Sequence, residues 1–208
     1  MALSHLITLE GIDGSGKSTV AAALHRRAAD EGVEVLLTAE PTPGPIGTLL
    51  RDQSGGPLPP VAEALLFVAD RYDHQRQIQA ALGAGTPVLC DRYELSTLAY
   101  QSVMLSGTLG DRDPLEWLRA LHAGPLVRPT LTVLLQGPAP VLLQRAGRRQ
   151  GTVRSRFERP DLLAAVATRY AELAAAMPEV VKVVDALQPL EEVTDRCWSL
   201  VRPLVRPR

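Results

Sequence analysis

The sequence predicts an α/β protein in which a parallel five-stranded sheet is covered by helices on both faces. Three observations carry this. Short β-branched or leucine-rich runs alternate with longer alanine-rich segments, the pattern of strands joined by helical crossovers. The 208 residues are 46% apolar and show no composition break, which predicts a single domain over residues 1–208. A glycine-rich turn follows the first apolar run directly and leads into a helix, so the chain opens as strand, tight loop and helix.

The first strand is read at Leu6 to Leu9, and the helix beginning at Lys17 runs over about 17–31. Val33 to Thr38 is the second strand, followed by a Pro/Gly-dense turn and a short helix at about 46–53. Gly55 to Pro60 is a loop, and a long helix covers about 60–84. Pro87 to Cys90 is the third strand, with helices at about 94–105 and 113–123 after it. The fourth strand, Leu131 to Leu135, precedes helices at about 138–149 and 159–176. Val180 to Val184 is the fifth, and a helix at about 189–202 closes the pattern. Ligands in such sheets sit at the carboxyl ends of the strands, where the polar clusters of this chain fall.

Bulk properties narrow the partners. A net charge of −1 gives no general attraction for nucleic acid or an anionic membrane. No run approaches the roughly 20 apolar residues of a membrane span, and the first residues lack the basic start and apolar stretch of a secretory leader. Cys90 and Cys197 are too few for a disulfide framework or a zinc site and read as buried thiols. Together these predict a soluble cytoplasmic protein with small-molecule ligands.

Gly11-Ile12-Asp13-Gly14-Ser15-Gly16-Lys17-Ser18 fits G-x-x-x-x-G-K-[ST], with Thr19 following. Glycines there let backbone N–H groups face the α- and β-phosphates of a nucleoside triphosphate. Lys17 reaches the β- and γ-phosphates, and the Ser18 hydroxyl is a ligand for Mg²⁺. Three further clusters address a second substrate, and a fourth is basic. Glu40-Pro41-Thr42-Pro43-Gly44 with Arg51 forms a rigid turn open to close approach. Phe67 and Arg71, four apart on one helix, can stack on a base and hold its phosphate. Asp91-Arg92-Tyr93, with Ser96 and Tyr100 one turn apart, places an acid and an arginine at the mouth of a strand, where metal and phosphate suit them. The arginines at 145, 148, 149, 154, 156 and 159, with Gly147 and Gly151 among them, read as a solvated face, a nucleic-acid strip or a mobile lid; the glycines beside a phosphate loop favour the lid, at about 147–159.

In order and across nearly the whole chain, these motifs resemble the thymidylate kinase family of phosphate-loop nucleoside monophosphate kinases. The resemblance lies in Leu9 through Ser18, Glu40-Pro41 with Gly47 and Arg51, Leu66-Phe67 with Asp70-Arg71, Asp91-Arg92-Tyr93 with Ser96, Ala99-Tyr100-Gln101, and Arg156-Phe157-Glu158. It implies transfer of the γ-phosphoryl group of ATP to dTMP, Mg²⁺ held through Ser18 and Asp91, and a homodimer. Phe67 would then stack on thymine, and Arg51, Arg71 and Arg92 would hold the acceptor phosphate. Asp13 and Tyr100 would lie near the deoxyribose, Ser96 and Gln101 near the base. Ser15 leaves the phosphate loop without an arginine, so the resemblance assigns catalysis to the lid, with Arg149, Arg154 and Arg156 as candidates beside Lys17 and Arg92. The chain departs from the family at Thr42-Pro43-Gly44, where Gly-Gly-Thr is common, and at Ser155, where Asp is common.

Two other functions fit parts of the pattern. A deoxynucleoside kinase would use Glu40 as base on a sugar hydroxyl, but has no use for three arginines around an acceptor phosphate. A non-catalytic nucleotide-binding or nucleic-acid-binding NTPase would use the basic segment on its outer face.

Overall fold

The computed structural model describes residues 4–52, 56–149, 157 and 159–205, apart from the side chains of Arg148 and Arg149. Strands β1 (Leu6–Glu10), β2 (Leu36–Ala39), β3 (Val88–Asp91), β4 (Leu131–Gln136) and β5 (Val181–Asp185) form one sheet in the order β2-β3-β1-β4-β5. Each neighbouring pair is parallel, so each connection must cross a face of the sheet. The crossovers carry α1 (Lys17–Asp30), α2 (Pro45–Arg51), α3 (Pro60–Gly83), α4 (Glu94–Met104), α5 (Pro114–Leu121), α6 (Ala139–Arg149) and α7 (Pro160–Ala176), and α8 (Leu190–Val201) follows the last strand. Prolines open α2, α3, α5 and α7, where the missing N–H would have no helical partner in any case.

Two groups of helices cover the sheet. α1 packs on α8 and touches β1, β2 and β3, while α3, α4 and α7 pack in succession over β3, β4 and β5. All five residues of the central strand β1 are buried, and β2 at the sheet edge alternates half-buried with exposed positions. Ile7, Leu9, Leu24, Leu89, Val133 and Leu134 form the heart of the core. Among the described residues no helix is long and apolar enough to cross a membrane.

The α/β architecture and its five parallel strands agree with the sequence reading, and β1, β3, β4 and β5 lie within one residue of the expected bounds. β2 is the exception, beginning at Leu36 rather than Val33. The chain turns at Gly32 with φ +74°, and the Val33 N–H closes back on Ala28 O at 2.8 Å, so Val33 completes the end of α1. Val33 and Val35 are buried without pairing; the ladder starts where β3 offers Val88 opposite Leu36. Apolar content marks both kinds of residue alike, which is why the sequence pattern merged them.

Because the strands are parallel, Glu10, Ala39, Asp91 and Gln136 all emerge at one edge of the sheet. Truncating Ile7 to Ala in the centre of this core is expected to lower unfolding free energy by about 2–5 kcal/mol, measured as a shift in the urea midpoint with an unchanged slope.

Candidate functional site

The loop from Gly11 to Ser18 wraps the first turn of α1. Gly14 has φ +82°, and a Cβ there would stand 1.9 Å from Leu142 O, so only glycine lets the loop lie against α6. Gly16 caps α1 without any side-chain hydrogen bond, leaving the first amides of the helix for an anion. Lys17 folds into the loop, its Nζ donating to Ile12 O at 2.9 Å and Ser15 Oγ at 3.4 Å. Burial, reinforced by the charge of Arg92, lowers its pKa to about 8. An ammonium ion held this way gains from any phosphate that enters. Ser18 Oγ donates to Asp91 Oδ2 at 2.5 Å, while the buried Asp91 Oδ1 has no hydrogen-bond partner among the described residues. A hydroxyl beside a carboxylate with one free oxygen suits a hard divalent cation.

A cavity of about 220 Å³ opens between this loop and helices α3 and α4. Asp13, Glu40, Pro41, Arg51, Phe67, Arg71, Arg92, Ser96, Tyr100 and Gln101, which the sequence singled out separately, all line it. Arg71 is its most constrained wall: 1% exposed, it donates through Nη2 to Glu40 Oε2 at 2.6 Å and through Nη1 to Thr97 Oγ1 at 3.0 Å and His122 Nε2 at 2.7 Å. Glu40 also accepts from His74 Nδ1 at 3.0 Å, so both its oxygens are engaged. A carboxylate held at one oxygen by Arg71 and at the other by His74 serves as an anchor for the arginine. This arrangement favours Glu40 as a structural partner of Arg71 over Glu40 as a catalytic base.

Arg92 faces Arg71 across the cavity with φ +70°, the one non-glycine residue at positive φ among those described. It pairs with Asp13, donates to Gly11 O at 3.2 Å and Ser96 Oγ at 3.1 Å, and lies 5.3 Å from the centre of the Tyr100 ring. The backbone turn is held from below by Glu10. This wholly buried carboxylate accepts from the N–H groups of Tyr93 (2.8 Å) and Ser96 (3.2 Å), from Ser96 Oγ (2.5 Å) and from Tyr170 OH (3.1 Å). Burial still raises its pKa, against the lowering by Ser96 and Arg92. For Asp13 the balance is opposite: burial works against the carboxylate, but Arg92 and then Lys17 outweigh it and hold its pKa below the usual value.

An aromatic box closes the cavity. Phe157 meets Phe67 and Tyr100 edge to face at 6.5 and 5.9 Å, and Tyr100 meets Tyr170 at 6.2 Å. Arg51 donates to Pro41 O (2.5 Å) and Thr42 O (2.6 Å), and the Asp70 carboxylate accepts from Thr42 N (2.8 Å) and Oγ1 (2.6 Å). The loop after β2 is thus clamped from α2 and α3. Gly47 lets α2 lie against it, since a Cβ there would stand 2.0 Å from Thr42 O. Of the lid candidates, Arg154 and Arg156 lie outside the described residues, as does the side chain of Arg149.

A second cleft, of about 550 Å³, lies between the glycine loop, α1 and α8, lined in part by Ser15, Arg145, Gln188 and Leu190. Arg145 reaches across it to Ala186 O at 2.6 Å and Leu187 O at 3.3 Å. The sequence reading assigned Arg145 only to the basic segment and missed the segment 186–190 entirely. It also missed the buried supports His74, Thr97, His122 and Tyr170. A polar residue at helical spacing among apolar neighbours was the signal available for them, and it names no partner.

Comparison with known proteins agrees across the chain. The family model described as thymidylate kinase matches residues 9–197. A probable thymidylate kinase from Methanoculleus marisnigri is 44% identical over 189 residues, covering 90% of this chain and 89% of that protein. The thymidylate kinase of Thermomicrobium roseum is 38% identical over 98% of this chain and 97% of its own length. The solved structure of thymidylate kinase from Candida albicans superposes with a TM-score of 0.79 at 27% identity, covering 97% of this chain and 92% of that one.

The Asp13–Arg92 pair generates a pH dependence. Because the folded protein holds Asp13 below its ordinary pKa of 3.8, the pair stabilises the fold fully above that pH and loses its effect as pH falls through the lower folded value. The difference in urea midpoint between the wild type and Asp13→Asn is therefore expected to be constant from pH 7 to 5 and to shrink toward pH 3. A gap that widens on acidification would contradict the pairing.

Proposed function

We infer the function from the premise that this chain belongs to the thymidylate kinase family: it transfers the γ-phosphoryl group of ATP to dTMP, giving dTDP and ADP. The observation that carries this reading is the acceptor cavity, where two buried or half-buried arginines face one another beside an aromatic box. Phosphate needs guanidinium partners and thymine needs a ring to stack on. A nucleoside acceptor would call for a base on its hydroxyl, and the nearest candidate, Glu40, is engaged by Arg71 and His74.

The acceptor phosphate has a second pKa of about 6 and is mostly a dianion at neutral pH, so no strong base is needed. Arg71 and Arg92 hold it, with Arg51 at the cavity rim, while Phe67 stacks on thymine. Asp13 and Tyr100 face the sugar, and Ser96 and Gln101 line the base end. Glu40 and Pro41 shape the wall behind the phosphate, Glu40 by fixing Arg71. On the other side the amides of Gly11 to Thr19 cradle the triphosphate, and Lys17 follows charge onto the β- and γ-phosphates. The cleft beside Arg145 has room for the base of ATP. Ser18 and Asp91 fit Mg²⁺, which when bound neutralises phosphate charge. The reaction then depends on in-line positioning and on guanidinium charge over the γ-phosphoryl oxygens. With serine at position 15, that charge comes from the lid at about 147–159, through Arg149, Arg154 or Arg156.

The remaining features of this reading are a single domain, a homodimer and a cytoplasmic setting without nucleic-acid partners. Exposed Leu49 and Leu65 on the contacting helices α2 and α3 support a face covered by a second copy. Free, buried Cys90 and Cys197 suit a reducing compartment.

With ATP as phosphoryl donor, dTMP is expected to drive ADP release and thymidine to be inert; the reverse would overturn the acceptor assignment. Arg156→Ala or Arg149→Ala is expected to lower kcat at least about a hundredfold with a far smaller change in KM for dTMP. Near-normal turnover in both variants and in Arg154→Ala would remove catalysis from the lid.

A further inference from the structure

Glu10 ends β1 and is completely buried. Its Oε1 accepts from the N–H groups of Tyr93 and Ser96, and its Oε2 from Ser96 Oγ at 2.5 Å and Tyr170 OH at 3.1 Å. The contacts on Oε1 hold the backbone that follows Arg92, whose φ of +70° is rarely adopted by a residue with a side chain. The contacts on Oε2 lead to the Arg92 side chain. A guanidinium has only donors, so Ser96 Oγ accepts from Arg92 Nη1 at 3.1 Å while it gives its one proton to Glu10. A directional chain of hydrogen bonds therefore runs from Arg92 through Ser96 to Glu10. Its outer end is open, because Arg92 lines the cavity and keeps 20% of its side-chain surface exposed, whereas Arg71 keeps 2%. Of the two, Arg92 is the more accessible to an entering anion.

We propose that Glu10 is a positioning residue for the acceptor phosphate: it fixes Arg92 through the backbone corner and, by way of Ser96, through the guanidinium. Held only by Asp13 and Gly11 O, that guanidinium would be tied to the glycine loop alone. The chain through Ser96 adds an anchor in the sheet and on α4, so two independent elements decide where the charge lies. The same chain gives Ser96 a role of its own. Its single proton is committed to Glu10, so it faces the base end of the cavity with no donor to offer a base.

This rests on the cavity being the dTMP site, and the experiment separates the two. Glu10→Gln keeps an oxygen for the two backbone N–H groups but sets an amide N–H₂ opposite Ser96 Oγ, so the corner survives and the chain breaks. Ser96→Ala breaks it in the middle. The measurement is steady-state kinetics with ATP and dTMP, with thymidine as a competitive inhibitor against dTMP. Each variant is expected to lower kcat/KM for dTMP about tenfold, with the Ki of thymidine and KM for ATP within about twofold of wild type. Because both cut one chain, the double variant is expected to fall no more than about threefold below the worse single variant. Equal losses toward dTMP and thymidine, or additive losses in the double variant, would overturn the positioning role. So would a kcat/KM for dTMP near wild type in either single variant. Should Glu10→Gln fail to fold, Ser96→Ala decides alone by the same comparison of dTMP with thymidine. A wild type that uses no nucleoside monophosphate would instead overturn the acceptor reading, and this role with it.

Discussion

The ion pair between Arg71 and Glu40 organises the acceptor half of this molecule. Two charges removed from water are a liability unless their remaining hydrogen-bonding capacity is filled, and here it is filled from four directions. His74 completes the carboxylate; Thr97 and His122 complete one amino group of the guanidinium. Those partners come from the end of β2, from α3, from α4 and from the chain just past α5. Such a pair contributes little net stability compared with apolar packing, but it converts the meeting of four elements into one fixed orientation of a cation. What it stabilises is a geometry.

A second buried carboxylate does the equivalent work on the opposite wall. Glu10 ends the central strand and ties the corner at Tyr93 and Ser96 to Tyr170 on α7. That corner keeps Arg92 at a positive φ which an arginine does not adopt unaided. From there Arg92 bridges Asp13 in the glycine loop and the cavity, so loop and cavity share a charged wall. In the proposed reading the phosphate loop then belongs to the acceptor site as well as the donor site.

Much of this was legible in the sequence, for a definite reason in each case. The glycine loop is a local motif, and its contacts follow from spacing alone. Phe67 with Arg71, and Ser96 with Tyr100, are one helical turn apart, so a shared target follows from helix geometry. The partners that hold these residues were not legible. His122 is 51 residues from Arg71, and Tyr170 is 160 residues from Glu10, so only the closed fold brings them together. The start of β2 was misread because valines serve a helix end and a strand equally well. The fold class came through strand and helix periodicity, which is local; the orientation of buried cations came through tertiary contacts, which are not.

The double engagement of Glu40 also bears on how this scaffold can diverge. A carboxylate at the end of the second strand is where hydroxyl-activating chemistry would arise in this architecture, and this chain already has one. Freeing it requires loss of both Arg71 and His74 as partners, since removing either leaves the other bound and the carboxylate still anchored. On the proposed reading, loss of Arg71 weakens the present acceptor site before any new activity exists. The route from phosphate to alcohol acceptors then crosses a weakened intermediate, and a lineage that has built this pair is held to its substrate by the same contacts that orient the arginine.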